Sequence, residues 1–169
     1  MAYNLDYKTI AEIRAELVES RRILNHVLAH VGDRWETQVY SEGAAWNVRQ
    51  LLVHLVLTDA AHYYMAMGYS EDKEVVPADF DLERYNRRSV EKKAELTPEQ
   101  ARASLAESRA TLNAWLDGVT DESVFEKTGR HGSMNIFSIR QILRVAAQHE
   151  KNHALDIARM LAIPVPPLS

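Results

Sequence analysis

The stretch 138–163, SIRQILRVAAQHEKNHALDIARMLAI, has the pattern of a long amphipathic helix with histidines on its apolar face. Ser138 followed by Gln141 has the spacing of a capping box, and the proline at position 164 cannot continue a helix. At about 100° per residue, His149 and His153 fall within about 20° of Ile142, in the middle of the apolar stripe. The stretch therefore predicts a buried helix that presents two imidazoles from one face.

The segment 149–153, HEKNH, has three metal-binding interpretations. Histidines four residues apart on a helix can reach one metal ion, the whole segment matches the H-E-x-x-H pattern, and Glu150-x-x-His153 is half of a di-iron motif. Only 16 residues follow His153, too few for the downstream third ligand of a zinc metalloprotease. We predict no core-facing carboxylates on the first two helices, which disfavours a di-iron site. Two adjacent buried imidazoles need a shared partner, so we expect a metal rather than two ordinary core histidines.

A third ligand must come from upstream of this segment. His54 lies in LLVHLVL, the most apolar part of the second predicted helix, and is the better candidate. His62 is eight residues further on, roughly 12 Å along a helix, too far to share one metal with His54. His26 and His30 have the same spacing as the late pair, but they lie about 200° and 240° from Leu24 at the centre of their helix's apolar stripe. We therefore expect both to be exposed and not to be ligands.

Helical patterns cover the rest of the chain, and no segment alternates with the period of a strand. The expected helices are Tyr7–Val31 with Asp6 as N-cap, Asn47–Gly68, a short one from about Asp81 to Leu96, and one that starts at Thr97 and runs to Gly118. Polar loops are expected over Tyr69–Phe80 and Val119–Phe137. Four long helices and one short additional helix predict an all-α fold, a four-helix bundle, built as a single domain over residues 1–169.

Composition excludes several classes of function. The chain has 169 residues, 46% of them hydrophobic, and a net charge of −4, which is unsuited to general nucleic-acid binding. It has no cysteine, so metal ligands must be His, Asp or Glu, and a nucleophilic thiol must come from another molecule. The N-terminus does not have the pattern of a signal peptide, and the longest apolar stretch, around Leu51–Leu57, is too short to span a bilayer. We expect a cytoplasmic protein without a membrane partner.

The stretch 46–55, WNVRQLLVHL, followed about 95 residues later by His149-x-x-x-His153, resembles the DinB-like superfamily. The resemblance implies a four-helix bundle with a divalent metal ion, often zinc, nickel or iron, held by three histidines that match His54, His149 and His153. It also implies frequent homodimers. The superfamily includes S-transferases and isomerases that use a low-molecular-weight thiol. The chain departs from one common variant after His153, where Ala154-Leu155-Asp156 replaces a further His or an aromatic-rich stretch, and this leaves the substrate class open.

The histidines predict a metal-dependent enzyme, a transferase or a hydrolase-like enzyme, that acts on a small-molecule substrate. The resemblance implies a thiol-dependent S-transferase or a related transferase or isomerase. The alternative is a non-catalytic, stress-related bundle that binds a metal or a ligand. Glu150, about 80° from Ile142 on the helical wheel, is the candidate catalytic residue, as a base. An ion pair with a Lys or Arg of another helix is the competing interpretation. Asp156, one turn beyond His153, could orient an imidazole N–H.

Three further polar residues each have two interpretations, one as part of a site and one as an ordinary structural residue. Asp59 and His62 could line a pocket, but a core or surface role is the stronger expectation for each. His131, between glycines in the late loop, could approach the mouth of a site, and we expect it to be a solvated loop residue.

Overall fold

The computed structural model describes residues 3–167. Within this range the chain forms five α-helices, two short 3-10 helices and one pair of strands. The α-helices are α1 (Ile10–Ala29), α2 (Val48–Ser70), α3 (Leu82–Lys92), α4 (Pro98–Gly118) and α5 (Ile139–Met160). The 3-10 helices are Arg34–Glu36 and Glu122–Glu126, and the strands are β1 (Thr128–Arg130) and β2 (Ile136–Ser138). The predicted four-helix bundle with a short additional helix is confirmed, with α3 as the short helix.

Local capping signals fix where most helices begin. Asn47, Thr97 and Ser138 each accept a hydrogen bond from the backbone N–H three residues on, and a glutamine at that position bonds back to the cap. These three N-caps are confirmed. The expected cap at Asp6 is wrong, because Thr9 forms a capping box with Glu12 and α1 starts one turn later. The short helix also ends at Lys92, earlier than the expected Leu96.

The loop expected over 119–137 contains regular structure that the sequence pattern does not predict. It holds a 3-10 helix and an antiparallel hairpin in which Thr128 pairs with Ser138 and Arg130 with Ile136. Strands of three residues are too short to display a period of two, so sequence alternation could not indicate them. Gly129 is needed here because a Cβ at this position would collide with the ring of Tyr69 on α2.

The order of the helices gives the bundle two parallel pairs. Helix α1 packs along α5 in the same direction, whereas α4 runs opposite to α1: Arg21 bonds the carbonyl of Leu105, and Arg109 bonds the carbonyl of Leu17. Helix α2 packs against α4 and α5. Because α2 and α4 are consecutive long helices that run the same way, the chain between them must return along the bundle. The segment 71–97, which contains α3, makes this crossover.

Two hydrophobic clusters form the core, one in each half of the bundle. The first joins the C-terminal halves of α1 and α5 to the N-terminal halves of α2 and α4, and the second joins the opposite halves. Buried polar side chains lie between them, including Ser20, Asp59 and Glu150. In residues 3–167 no helix combines the length and the apolar character needed to cross a bilayer.

Candidate metal centre

Three imidazoles meet where α2 passes α5. His54 lies on α2, and His149 and His153 lie one turn apart on α5. The Nε2 atom of His149 is 3.2 Å from Nε2 of His54 and 3.1 Å from Nε2 of His153. One nitrogen from each ring lies within 4.8 Å of the other two. Three nitrogens each about 2.0–2.1 Å from one tetrahedral zinc ion would stand about 3.3–3.4 Å apart, so the spacing fits a shared divalent ion.

Hydrogen bonding alone does not satisfy these nitrogens. A ring nitrogen carries either one N–H or one lone pair, so Nε2 of His149 can make only one of its two short contacts as a hydrogen bond. His54 and His153 are buried, which makes an unmade bond costly. A cation at the centre would use the lone pairs of all three rings. The donor set therefore fits a divalent metal ion.

Tyr40 fixes the tautomer of one ring in this cluster. Its hydroxyl lies 2.7 Å from Nδ1 of His153 and 2.7 Å from Oδ2 of Asp156. The carboxylate can only accept, so Tyr40 donates to Asp156 and accepts from Nδ1–H of His153. The lone pair of His153 is then on Nε2, which faces the other two histidines. Burial, with the hydrogen bond to Asp156, raises the pKa of Tyr40, so the hydroxyl keeps its proton.

Burial keeps all three imidazoles neutral at ordinary pH. It lowers the pKa of His54 to about 3 and that of His153 to about 4. Burial, together with the neighbouring histidines, holds the pKa of His149 well below its usual range. Neutral imidazole is the form that binds a metal.

A cavity of about 720 Å³ opens beside this cluster, with His54 and His149 in its wall. The rest of the wall comes mainly from α2, the crossover segment and α3. Its apolar part includes Val56, Leu57, Met65, Val76, Phe80 and Leu82. The volume lies in the range that holds a small organic molecule. A molecule in the cavity would reach the three-histidine cluster from one side.

A second histidine pair lines the same cavity. Nε2 of His62 lies 3.1 Å from Nε2 of His131, and the rings stack at 18°. The ring centroid of His62 is 5.7 Å from that of His149. The expectation that His131 is a solvated loop residue is wrong: the hairpin turn buries it against α2. Burial lowers the pKa of His62 and that of His131 to about 4 each.

Glu150 points away from the three histidines. Its carboxylate accepts hydrogen bonds from Ser20 at 2.9 Å and from Arg21 at 2.8 and 3.0 Å, and Arg109 lies 3.5 Å away. Glu150 therefore forms an ion pair with arginines of other helices. This was the competing interpretation of its role, instead of a catalytic base.

Asp59 shares this buried ion network. It bonds Arg21 at 3.1 Å and accepts a hydrogen bond from Tyr63 at 2.5 Å. The expectation that α2 carries no core-facing carboxylate is therefore wrong. The carboxylates of Asp59 and Glu150 meet arginines rather than a metal, so they do not revive the di-iron interpretation. Both belong to the polar layer between the two core clusters.

The structure also places residues that sequence patterns did not single out. Tyr40 belongs to the connection between α1 and α2, which has no periodicity to indicate a direction. It is held there because the backbone N–H groups of Val39 and Tyr40 both bond the carbonyl of Trp46. The Trp46 ring in turn packs 4.5 Å from the ring of His54. The other pair, His26 and His30, is not part of this group. His30 is exposed as expected, but His26 is half-buried, because its ring bonds the carbonyl of Pro164.

Comparisons with known proteins agree with this architecture. The model of the DinB superfamily matches residues 16–157. A solved structure is similar over 95% of this chain and 92% of its own, with a TM-score of 0.76 and 16% identity. That protein is YfiT from Bacillus subtilis, described as a probable metal-dependent hydrolase with an unusual four-helix bundle topology. At this identity the likeness shows a common fold. No curated protein matches the chain.

Proposed function

The chain belongs to the DinB superfamily, and we propose that it is an enzyme in which His54, His149 and His153 hold one divalent metal ion. The reaction takes place at the wall of the adjacent cavity, on a small molecule bound there. Zinc, nickel and iron all suit imidazole ligands, and we expect one of them. The description of YfiT as a probable metal-dependent hydrolase supports the same class of chemistry.

The observation that carries this proposal is the arrangement of three Nε2 atoms beside an open cavity. Two spacings of 3.1 and 3.2 Å leave one nitrogen with two contacts and one bonding position. A structural metal site is usually closed by four protein ligands, whereas a catalytic site keeps a position for substrate or water. In the described part of the chain, no fourth His, Asp or Glu joins this group. The missing fourth protein ligand favours a catalytic site.

Each residue of the site has a defined task. A bound divalent ion supplies Lewis-acid chemistry, lowering the pKa of a nearby water or thiol and polarising a carbonyl. Tyr40 and Asp156 hold His153 with its proton on Nδ1 and its lone pair toward the ion. The apolar wall of the cavity would pack against the apolar part of a bound substrate. Glu150, held by Arg21, would act through the stability of α5 rather than as a base.

Hydrolysis is the first candidate reaction, and thiol-dependent transfer is the second. The size of the cavity, about 720 Å³, favours keeping the second, because it leaves room for a small thiol beside a substrate. Without a cysteine in the chain, that low-molecular-weight thiol would be a co-substrate. Hydrolysis of an ester needs no added thiol, whereas transfer from an alkyl halide requires one as the acceptor.

Metal content measured by elemental analysis tests the site. Tag-free protein, reconstituted with zinc or nickel and desalted, should hold about one ion per chain, since the three rings make one centre. His54→Ala and His149→Ala should each lose it. His30→Ala is the matched control, since this exposed histidine bonds only the carbonyl of His26 in the described structure and should leave the metal content unchanged.

Activity assays then separate the possible functions. Loaded protein should turn over uncharged esters alone or alkyl halides with a thiol, and the His149→Ala variant should not. One ion per chain without turnover in either assay would favour the alternative of a non-catalytic binding protein. No bound ion after reconstitution would overturn the metal site itself.

Homodimer formation and a cytoplasmic location remain predictions. Light scattering coupled to size-exclusion chromatography would test the first, with a mass of twice 19.3 kDa as the expected result.

A further inference from the structure

We propose that His62 and His131 form a second polar subsite of the cavity, which binds an uncharged oxygen-bearing group of a largely apolar substrate. This inference rests on the proposed function only for where the substrate reacts, at the three-histidine cluster. It assigns a different task to a different pair of side chains. The hydrogen-bond geometry of the pair, the composition of the cavity wall and one unsatisfied nitrogen all point to it.

The protonation pattern of the pair follows from its contacts. The backbone N–H of Ser133 donates to Nδ1 of His131 at 3.1 Å, so that nitrogen holds a lone pair. The neutral ring of His131 then carries its proton on Nε2, 3.1 Å from Nε2 of His62. His62 accepts this N–H, which leaves its own proton on Nδ1. Both rings are uncharged in this arrangement.

One buried atom of the pair remains unsatisfied. Nδ1 of His62 meets no partner with the geometry of a hydrogen bond among residues 3–167, although the residue is buried and its ring interacts with the backbone of Thr58, one turn earlier on α2. Buried polar groups in native proteins nearly always have a partner, and exceptions indicate a functional site or a missing ligand. If the proton of His62 moves to Nε2, Nδ1 is left with a lone pair rather than a buried N–H, and the two Nε2–H groups then require one acceptor that both can reach. An oxygen with two lone pairs is such an acceptor.

The cavity wall selects an uncharged ligand. No Asp, Glu, Lys or Arg is among the described residues that line it, and most of its surface is apolar. A charged group buried there would lose its hydration without gaining an ionic partner. Thr58 and Ser133 also line the wall, but their hydroxyls bond the carbonyl of His54 and the ring of His131. Asn86 and the hydroxyls of Tyr3, Tyr64 and Tyr85 belong to residues of the wall that are not buried. Apart from the three-histidine cluster, the histidine pair therefore offers the main buried hydrogen-bonding capacity.

A second metal ion is a weaker explanation of the same pair. Within the described residues, the only group of three or more His, Asp or Glu side chains at ligand spacing is the one with His54, His149 and His153. Two histidines whose Nε2 atoms already make a hydrogen bond do not need a cation to explain their contact. An uncharged acceptor bonded by both rings would replace that bond with two.

Binding of four small probes tests the subsite. Hexanol and hexanamide are uncharged and carry an oxygen, whereas hexanoate and hexylammonium have the same chain length with a charge. Ligand-observed NMR titration should show saturable binding of the uncharged probes and at least about tenfold weaker binding of the charged ones, because a buried charge without a partner is costly. The titrations are run on zinc-free and zinc-loaded protein, since hexanoate could contact a metal directly.

Variants connect the binding to the pair. His62→Phe and His131→Phe should each raise the Kd of hexanol about fivefold to tenfold, the loss expected for one uncharged hydrogen bond. His62→Gln keeps a donor and an acceptor, so its affinity should stay close to that of the wild type. His30→Phe is the matched control on a surface histidine. Circular dichroism checks that each variant is folded.

The outcomes separate this inference from the metal site. Wild-type affinity in both phenylalanine variants, a preference for a charged probe in zinc-free protein, or no saturable binding of either uncharged probe would overturn the subsite, even if the chain binds one zinc ion when loaded. Binding of hexanol that depends on His62, in protein that takes up no metal on reconstitution, would support the subsite and overturn the metal centre.

Discussion

His149 and Glu150 are neighbours on α5, yet they face two regions built in opposite ways. Glu150 enters a buried layer in which its carboxylate is bonded by Ser20 and Arg21. His149 faces the cavity side, where its Nε2 has two nitrogen contacts and can bond to only one of them. In the first region charges are paired between helices, and in the second neutral groups are left with bonds to make. The difference separates the part that holds the bundle together from the part that can bind something.

The ionic layer explains how one helix can serve both regions. It lies between the two hydrophobic clusters and ties α1, α2, α4 and α5 together through Arg21 and Arg109. Buried ion pairs add little net stability relative to an apolar core, but removing one partner is expensive. The layer therefore fixes the rotation of α5 about its axis. With Glu150 held on one face, His149 faces the cavity and His153 faces the cluster with His54.

Removal of the Glu150 charge is expected to have the largest effect on stability. Glu150→Gln would leave Asp59 as the one carboxylate of the layer facing both Arg21 and Arg109, and this unbalanced positive charge should reduce the free energy of unfolding by about 3–5 kcal/mol. Urea denaturation measures the loss. Glu107→Gln, on the exposed face of α4, is the control and should change stability by less than about 0.5 kcal/mol. Wild-type stability combined with lost turnover would instead restore Glu150 as the catalytic base.

Metal binding should stabilise the folded protein only when the three-histidine cluster beside the cavity is intact. If zinc binds the folded state, a free concentration one hundred times its Kd raises the free energy of unfolding by about 2.7 kcal/mol. Thermal or urea unfolding with and without zinc measures this gain, which His149→Ala should abolish. His26→Ala, on the other histidine pair, should retain it. A gain of the same size in His149→Ala would show that zinc binds elsewhere.

Sequence predicts what depends on local signals. The capping boxes at Asn47, Thr97 and Ser138 involve residues three apart, so the spacing is sufficient to place three helix starts. The position of His149 and His153 within the apolar stripe was sufficient to predict that both face inward, because the stripe belongs to one helix. The third histidine, His54, was expected from its place in the most apolar part of its helix, and the family resemblance, now supported by the match over residues 16–157, implied the same residue.

What sequence could not predict depends on contacts between distant segments. The partner of Glu150 is Arg21, which is 129 residues away, and no pattern within α5 identifies it. Tyr40 lies in an aperiodic connection, and its link to His153 spans 113 residues. The burial of His131 follows from a hairpin whose strands are three residues long. In each case the decisive information is the packing of the whole bundle.

Acid should destabilise the metal-free protein through its cavity histidines. Burial lowers the pKa of His62 and of His131 from 6.5 to about 4. Between these values the unfolded chain binds more protons than the folded one, so stability that is present above pH 6.5 is lost as the pH falls toward 4. Each histidine that stays neutral contributes a slope of about 1.4 kcal/mol per pH unit. Urea unfolding at several pH values measures the slope. His62→Gln should reduce it by about 1.4 kcal/mol per pH unit, the contribution of one histidine.

The smallest effect we predict is at Tyr40, which touches the metal centre only through His153. Tyr40→Phe removes the hydroxyl that accepts from Nδ1–H of His153 and donates to Asp156, so the ring loses its fixed orientation and tautomer. Loss of such an outer hydrogen bond typically weakens metal affinity about tenfold or more. Competition with a zinc chelator measures the Kd, and Tyr7→Phe, on an exposed tyrosine, should leave it unchanged. Unchanged affinity in Tyr40→Phe would mean that packing alone orients His153, and the cavity side would then share the rigidity of the ionic layer.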